Sequence, residues 1–308
     1  MKQAPMKDLI KTARKVVEIC LEIKPCERVV LVKDHDSRII NAFEQVLDQY
    51  ELVEISPHRS NSSPIPEATE AFSRCDVIIA PTKYSISHCA ETTAARKQGA
   101  RVATLPGITE EIFLKILECD IQEIEIVNRK VYECVKNART IRITSPAGTD
   151  ILLELDPRRE WILSGMKCTS PGDIVNLPDG EIFCAPLETS AKGIIIIDRW
   201  GKITTQDRAQ ITVDNGRITS WNAAAKPYVD RLITGGERGL IIAELGIGTN
   251  KQHTLPIGNI LYDEKIYHSC HIAFGENTSF GGVNKAGVHE DMIIMHPVIL
   301  ADGKRVEY

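Results

Sequence analysis

Hydrophobic positions follow two rhythms along the chain. In the first part, short apolar runs alternate with longer segments whose apolar residues recur at helical spacing. Residues 5–23 read as a helix, Arg28–Lys33 (RVVLVK) as a buried strand and 36–49 as a helix. Leu52–Ser56 reads as a short strand, followed by the polar, proline-punctuated SPHRSNSSPIPE and a short helix near 66–73. Asp76–Ala80 and Arg101–Leu105 are strands on either side of a helix at 86–98, and 109–118 and 121–137 read as helices. Strands alternating with helices predict βαβ units, a parallel sheet and right-handed crossovers.

After about residue 138 strands dominate. ARTIRITSPAGTDILLEL holds two strand-like runs around a turn at Pro146-Ala147-Gly148. Glu181–Ala185, Gly193–Ile197, Gln210–Val213, Arg217–Trp221 and Leu240–Leu245 continue the pattern, interrupted by one helix at 223–234. Asp214-Asn215-Gly216 is a strong hairpin signal. The predicted fold class is therefore α/β: a parallel α/β domain over residues 1–138, then a β-rich, mixed α+β domain over 139–308.

Composition narrows the function. A chain of 308 residues with 43% hydrophobic and 26% charged residues has the make-up of a soluble globular protein with a sizeable core. The net charge of -5 speaks against a nucleic-acid partner, which a basic surface would attract. No run reaches the ~18 apolar residues of a membrane span, and the N-terminal stretch lacks the apolar region of a signal peptide. Nine cysteines, an odd number with no C-x-x-C pair, point to reduced thiols in a cytoplasmic protein.

The concentrated chemistry lies in the second domain. His271 sits in the β-like run CHIAF, and His289 and Asp291 sit in VHEDMIIM. Residues i and i+2 of a strand share a face, so His289 and Asp291 project together while Glu290 points away. A loop carrying Gly281, Gly282 and Gly287 lets the two runs fold back on each other. Imidazole and carboxylate on one strand face suit zinc, manganese, iron or cobalt. A single histidine among eight is ordinarily a hydrogen-bonded or surface residue, so the pairing with Asp291 carries this reading.

Glu244 follows four apolar residues, Leu240 to Ala243, which predicts a buried carboxylate needing a partner. A metal ion and an arginine both qualify. With His271 close behind and no basic residue nearby in the strand, the metal is favoured. Glu181 opens an apolar strand after Asn176-Leu177-Pro178-Asp179-Gly180, where a carboxylate can face a cleft, although a lone Glu there is more commonly a solvated charge. Other signatures are missing. Ile293 breaks any H-E-x-x-H, and Lys251 stands where a dinucleotide fingerprint beginning at Gly246 would need its third glycine. No P-loop and no G-x-S-x-G occur. His35, between Asp34 and Asp36, reads as a loop residue at the carboxyl edge of the first sheet.

The series NLPDGEIFCAP, AELGIGTN, CHIAFGEN and HEDMI resembles the thermophilic aminopeptidase family, the clan of aminopeptidases T and S, over about residues 140–295. The stretch SPAGTDILLEL resembles that family's start to its second domain. The resemblance implies two divalent ions, zinc, cobalt or manganese, held by Glu181, Glu244, His271, His289 and Asp291 in an enclosed site of a homodimer. It also marks departures. The family tyrosine seven residues after the first histidine is Thr278 here, and the family's acidic residue before that histidine falls on Ile266, with Glu264 two places off. The chain is also shorter than the family's peptidases.

Three functions are carried forward. The leading one is a metal-dependent hydrolase, an enzyme resembling an aminopeptidase, that removes N-terminal amino acids from short peptides or acts on a small molecule. In it Glu181 bridges the metals or orients the water, and the metals, Thr278 or backbone N–H groups stabilise the oxyanion. The second is an iron(II)-dependent ring-cleaving dioxygenase resembling 2,5-dihydroxypyridine dioxygenase, with His271, His289 and Asp291 as a facial triad. The third is a metal-binding protein without turnover.

Overall fold

The computed structural model describes residues 3–56 and 63–308; positions 57–62, half of the polar SPHRSNSSPIPE stretch, lie outside them. Eight α-helices are described: α1 (Met6–Lys15), α2 (Arg38–Glu44), α3 (Thr69–Phe72), α4 (Ala90–Lys97), α5 (Glu110–Glu118), α6 (Ile121–Val135), α7 (Lys226–Ile233) and α8 (Ile260–Asp263). Strands β1 (Val29–Lys33), β2 (Glu51–Glu54), β3 (Val77–Ala80) and β4 (Arg101–Thr104) lie among the first of these. Next come β5 (Thr140–Thr144), β6 (Asp150–Glu154), β7 (Ile162–Ser164), β8 (Ile174–Asn176) and β9 (Glu181–Cys184). A long hairpin of β10 (Lys192–Trp200) and β11 (Ile203–Asp214) leads to β12 (Arg217–Trp221) and β13 (Ile242–Gly248). The chain ends with β14 (Ser269–Gly275), β15 (His289–Met295), β16 (Val298–Ala301) and β17 (Lys304–Arg305).

These elements form two compact units, Met1–Ile121 with Met166–Asp179, and Gln122–Gly165 with Gly180–Tyr308. In the first, five parallel strands run in the order β2-β1-β3-β4-β8. β3 and β4 are buried at every position. Burial at every position characterises parallel strands covered on both faces. Side-chain oxygens of Ser37 and Thr109 accept from Ile40 N and Ile112 N and so satisfy the first turns of α2 and α5. His35 follows β1 in the loop at the sheet's carboxyl edge, its Nδ1 2.5 Å from Asp34 Oδ1.

The second unit is built on a 12-stranded antiparallel sheet. Strands β10, β15, β14, β13 and β9 are successive neighbours in it. Alternate residues, among them Ile182, Ile195, Ile197, Ile242, Leu245, Ile272, Phe274, Met292 and Ile294, face one hydrophobic core. Tyr228, Val229 and Leu232 from α7 join that core, and the Tyr228 hydroxyl donates to Glu290 O at 2.8 Å.

The boundary expected at residue 138 moves. Val127, Val131 and Val135 of α6 pack with Ile141 and Ile143, so that helix belongs to the second unit almost from its start. Residues 166–179 return to the first unit, where Val102, Ala103 and Thr104 pair with Ile174, Val175 and Asn176. A three-residue strand has no periodicity to announce it. The β10–β11 hairpin also outruns its sequence signal, because Thr205 to Arg208 are polar and exposed. The nine cysteines are free thiols. Among the described residues, no helix is long and apolar enough to cross a membrane.

The two faces of β10 supply a test of this layout. Ile195 is fully buried and Ile194 is 39% exposed. Ile195→Ala is expected to cost about 2–5 kcal/mol in urea unfolding and Ile194→Ala about 0.5 kcal/mol or less. Equal costs would mean the strand's faces are assigned wrongly.

Candidate metal centre

The core-facing positions fix which side chains point the other way. On β14, Cys270, Ile272 and Phe274 enter the core, which turns His271 to the opposite face. On β15, Met292 and Ile294 do the same, leaving His289 and Asp291 beside His271's face. On β9, Ile182 and Cys184 face the core, and Glu181 does not. On β13, a register shift between Ile242 and Glu244 sets Glu244 opposite Ala273, which in turn pairs with Asp291. Glu290 points away from this face, its carboxylate held by Trp200 Nε1 at 3.2 Å and Arg231 Nε at 2.6 Å.

The side-chain tips form a chain. His271 Nε2 lies 3.4 Å from Glu181 Oε2 and 3.3 Å from Glu244 Oε1. His289 Nε2 lies 3.4 Å from both Glu244 Oε2 and Asp291 Oδ1. Among the described residues, Glu244, His289 and Asp291 form the group whose ligand atoms all lie within 4.8 Å of one another. His271 and Glu181 adjoin it through Glu244. Two atoms that each lie about 2.1 Å from one cation, at a tetrahedral angle, are about 3.4 Å apart, so these spacings suit a shared ion. Among the described residues, Glu181 Oε2 and His271 Nδ1 are buried without a hydrogen-bond partner. Buried polar atoms are rarely left so, and such a carboxylate oxygen on this face can accept from a water held beside a cation.

Backbone features hold the imidazoles in place. His289 Nδ1 lies 2.7 Å from Glu276 O. A carbonyl only accepts, so Nδ1 carries the proton in the neutral ring and Nε2 presents its lone pair to the cluster. Gly246 stands opposite His271 in the register, and a Cβ there would fall 2.0 Å from the ring's Cε1 and Nε2. Only glycine leaves the imidazole its space. Phe280 stacks edge-on against both Phe183 and His289, at 5.6 Å and 5.9 Å between ring centroids.

The charges answer one another. Burial disfavours the charged imidazole of His271, but the hydrogen bond to Glu244 and the charges of Glu181 and Asp291 outweigh it and hold its pKa at about 9. His289 is likewise opposed by burial and lifted to about 10, chiefly by Asp291. Burial works against the charged form of Asp291, yet the two imidazoles and Lys265 keep it well below the ordinary range. Burial raises Glu244.

Several expectations change here. Glu181 is 5% exposed, not a solvated charge at the start of a strand. Its Oε1 meets Lys265 Nζ at 2.6 Å, and the same ammonium pairs with Glu264 Oε1. Lys265 is fully buried. Sequence reasoning missed it because it looked for a cation within the β13 strand, and Lys265 comes from the turn after α8, which carries no periodic signal. Phe280 gave no warning either. Thr278 is exposed, and its hydroxyl donates to Glu276 Oε1, which also accepts from Thr278 N at 3.3 Å.

Comparison with known proteins follows the same outline. The fold is similar to that of 2,5-dihydroxypyridine dioxygenase from Pseudomonas putida KT2440, with a TM-score of 0.81 at 18% identity, covering 99% of this chain and 96% of that one. It is also similar to wild-type AmpT from Thermus thermophilus, with a TM-score of 0.71 at 14% identity, covering 98% and 97%. No curated protein matches the sequence. The family described as thermophilic metalloprotease (M29) matches residues 125–307, a span that holds all five of the residues converging on this face. That match takes in more than half of the chain, and the protein belongs to the thermophilic metalloprotease family.

Proposed function

We propose that this protein is a metal-dependent hydrolase of the aminopeptidase kind, removing N-terminal residues from short peptides. The observation that carries it is the cluster of Glu244, His289 and Asp291, with Glu181 Oε2 beside it lacking a hydrogen-bond donor, in a chain of the metalloprotease family. The nitrogen and oxygen donors suit zinc, cobalt or manganese. A bound divalent ion would polarise the scissile carbonyl and lower the pKa of water. Glu181 acts as general base at Oε2 while Lys265 fixes its other oxygen. Glu276 O orients the His289 ring through its Nδ1, and Phe280 packs edge-on against that ring. A homodimer in the cytoplasm is part of the same proposal.

Hydrolysis of a dipeptide series should depend on added zinc, cobalt or manganese and stop with chelator. Glu181→Gln should lower kcat by roughly 10²- to 10⁴-fold, the scale of a general base, while metal content stays unchanged. No dipeptide turnover with any of the three metals would contradict the proposal. Oxygen consumption with a dihydroxylated aromatic ring and iron(II) would support the second reading, which rests on His271, His289 and Asp291 as a two-histidine, one-carboxylate set.

Metal loading should depend on pH in a defined direction. The imidazoles of His271 and His289 have pKa values raised to about 9 and 10, so in the metal-free fold they are protonated at neutral pH. The stability they contribute to that fold is complete below the ordinary imidazole pKa, about 6.5, and is lost as pH rises through 9 to 10. A ligating imidazole must shed its proton, so loading releases protons and affinity rises with pH. Competition titration against a chelator at pH 6, 7 and 8 should give at least about a tenfold gain per unit, one proton's worth. A flat profile would mean that His289 takes no part.

Thr278 was one expected oxyanion donor, beside the metals and backbone N–H groups. Its hydroxyl already donates to Glu276, so the role passes to other groups. Thr278→Ala should change kcat by less than about tenfold, whereas loss of a true oxyanion donor costs roughly 100- to 1,000-fold.

A further inference from the structure

The carboxylates on this face have unlike partners. Glu244 faces imidazoles on both oxygens, His271 at 3.3 Å and His289 at 3.4 Å, and imidazoles can give up their protons to a metal. Glu181 has His271 Nε2 3.4 Å from Oε2 but an ammonium on Oε1 at 2.6 Å, and that ammonium also lies on Glu264 Oε1. A lysine cannot ligate while charged, and it neutralises the same oxygens that a metal ion would use.

Lys265 has little freedom to withdraw. Its side chain is fully buried. Its backbone N donates to Tyr262 O at 3.2 Å, and its carbonyl accepts from Asn250 N at 3.1 Å. The next residue, Ile266, bridges Asn250 in parallel register. Gly248 makes that approach possible, because a Cβ there would fall 2.1 Å from Ile266 O. The ammonium is therefore delivered by the backbone to one spot between two carboxyl groups.

We propose that the Lys265 ammonium takes the place of a second metal ion between Glu181 and Glu264, so that the centre holds a single divalent cation on Glu244, His289 and Asp291. The two-ion centre implied by family resemblance does not fit these residues. This inference rests on the metal-dependent reading above and sets its ion count. It also explains the separation of roles on this face: Glu244 serves the ion, and Glu181, with one oxygen on lysine and the other beside His271 Nε2, stays outside the ligand set.

The test is a count of ions. Metal-free wild-type protein is dialysed to saturation against manganese(II), cobalt(II) or zinc(II), and bound metal is measured by elemental analysis. One ion per chain is expected, with manganese giving an uncoupled six-line electron paramagnetic resonance spectrum. Lys265→Gln and Lys265→Met should each rise to two ions per chain, with the manganese spectrum turning spin-coupled. Two ions in the wild type would overturn the inference, as would a folded lysine variant that stays at one. No ion in the wild type would instead bring down the metal-dependent reading itself, and this inference with it. If neither variant folds, the wild-type count and spectrum decide alone.

Discussion

The arrangement depends on one constraint: charged groups buried on the face of a sheet opposite its hydrophobic core must compensate one another. The carboxylates of Glu181, Glu244, Glu264 and Asp291, the imidazoles of His271 and His289 and the Lys265 ammonium meet on β9, β13, β14, β15 and the turn after α8. An isolated buried charge would be costly, and breaking one partner of a buried pair leaves the other uncompensated. The core-facing residues on the same strands leave the register no freedom, since a one-residue slip would carry Ile272, Met292 and Leu245 out of the core. Packing on one face therefore sets the electrostatics on the other.

The site's outline was legible in the sequence because strand periodicity is simple. His289 and Asp291 two residues apart, and Glu244 within an apolar run, declare their faces without any tertiary knowledge. What sequence alone could not supply were contacts made across chain distance. Lys265 approaches Glu181 from a turn, 84 residues away in sequence. The Nδ1 contact of His289 with Glu276 O comes from a loop conformation that no motif encodes. In the fold, the α/β beginning and the β-rich remainder could be read from their rhythms. The return of Ile174–Asn176 to the parallel sheet could not, because three residues carry no period.

The two structural likenesses show one fold shared by a dioxygenase and a protein called AmpT, so the fold does not decide the chemistry. The decision falls to the donor set and its surroundings. Glu244 brings a carboxylate beyond the two-histidine, one-carboxylate set of an iron oxygenase. Among the described residues, Glu181 has the Lys265 ammonium on one oxygen and no hydrogen-bond donor on the other, which is the arrangement the proposed hydrolase reading uses. The Thr278 hydroxyl is engaged by Glu276 Oε1.

The most direct test of the central claim is anomalous scattering from crystals of the chain grown with zinc or manganese and measured at the metal's absorption edge. The account predicts one strong peak per chain, bounded by Glu244, His289 and Asp291, with Lys265 Nζ still lying between Glu181 and Glu264. A peak between Glu181 and Glu264, or no peak beside His289 and Asp291 at saturating metal, would contradict it.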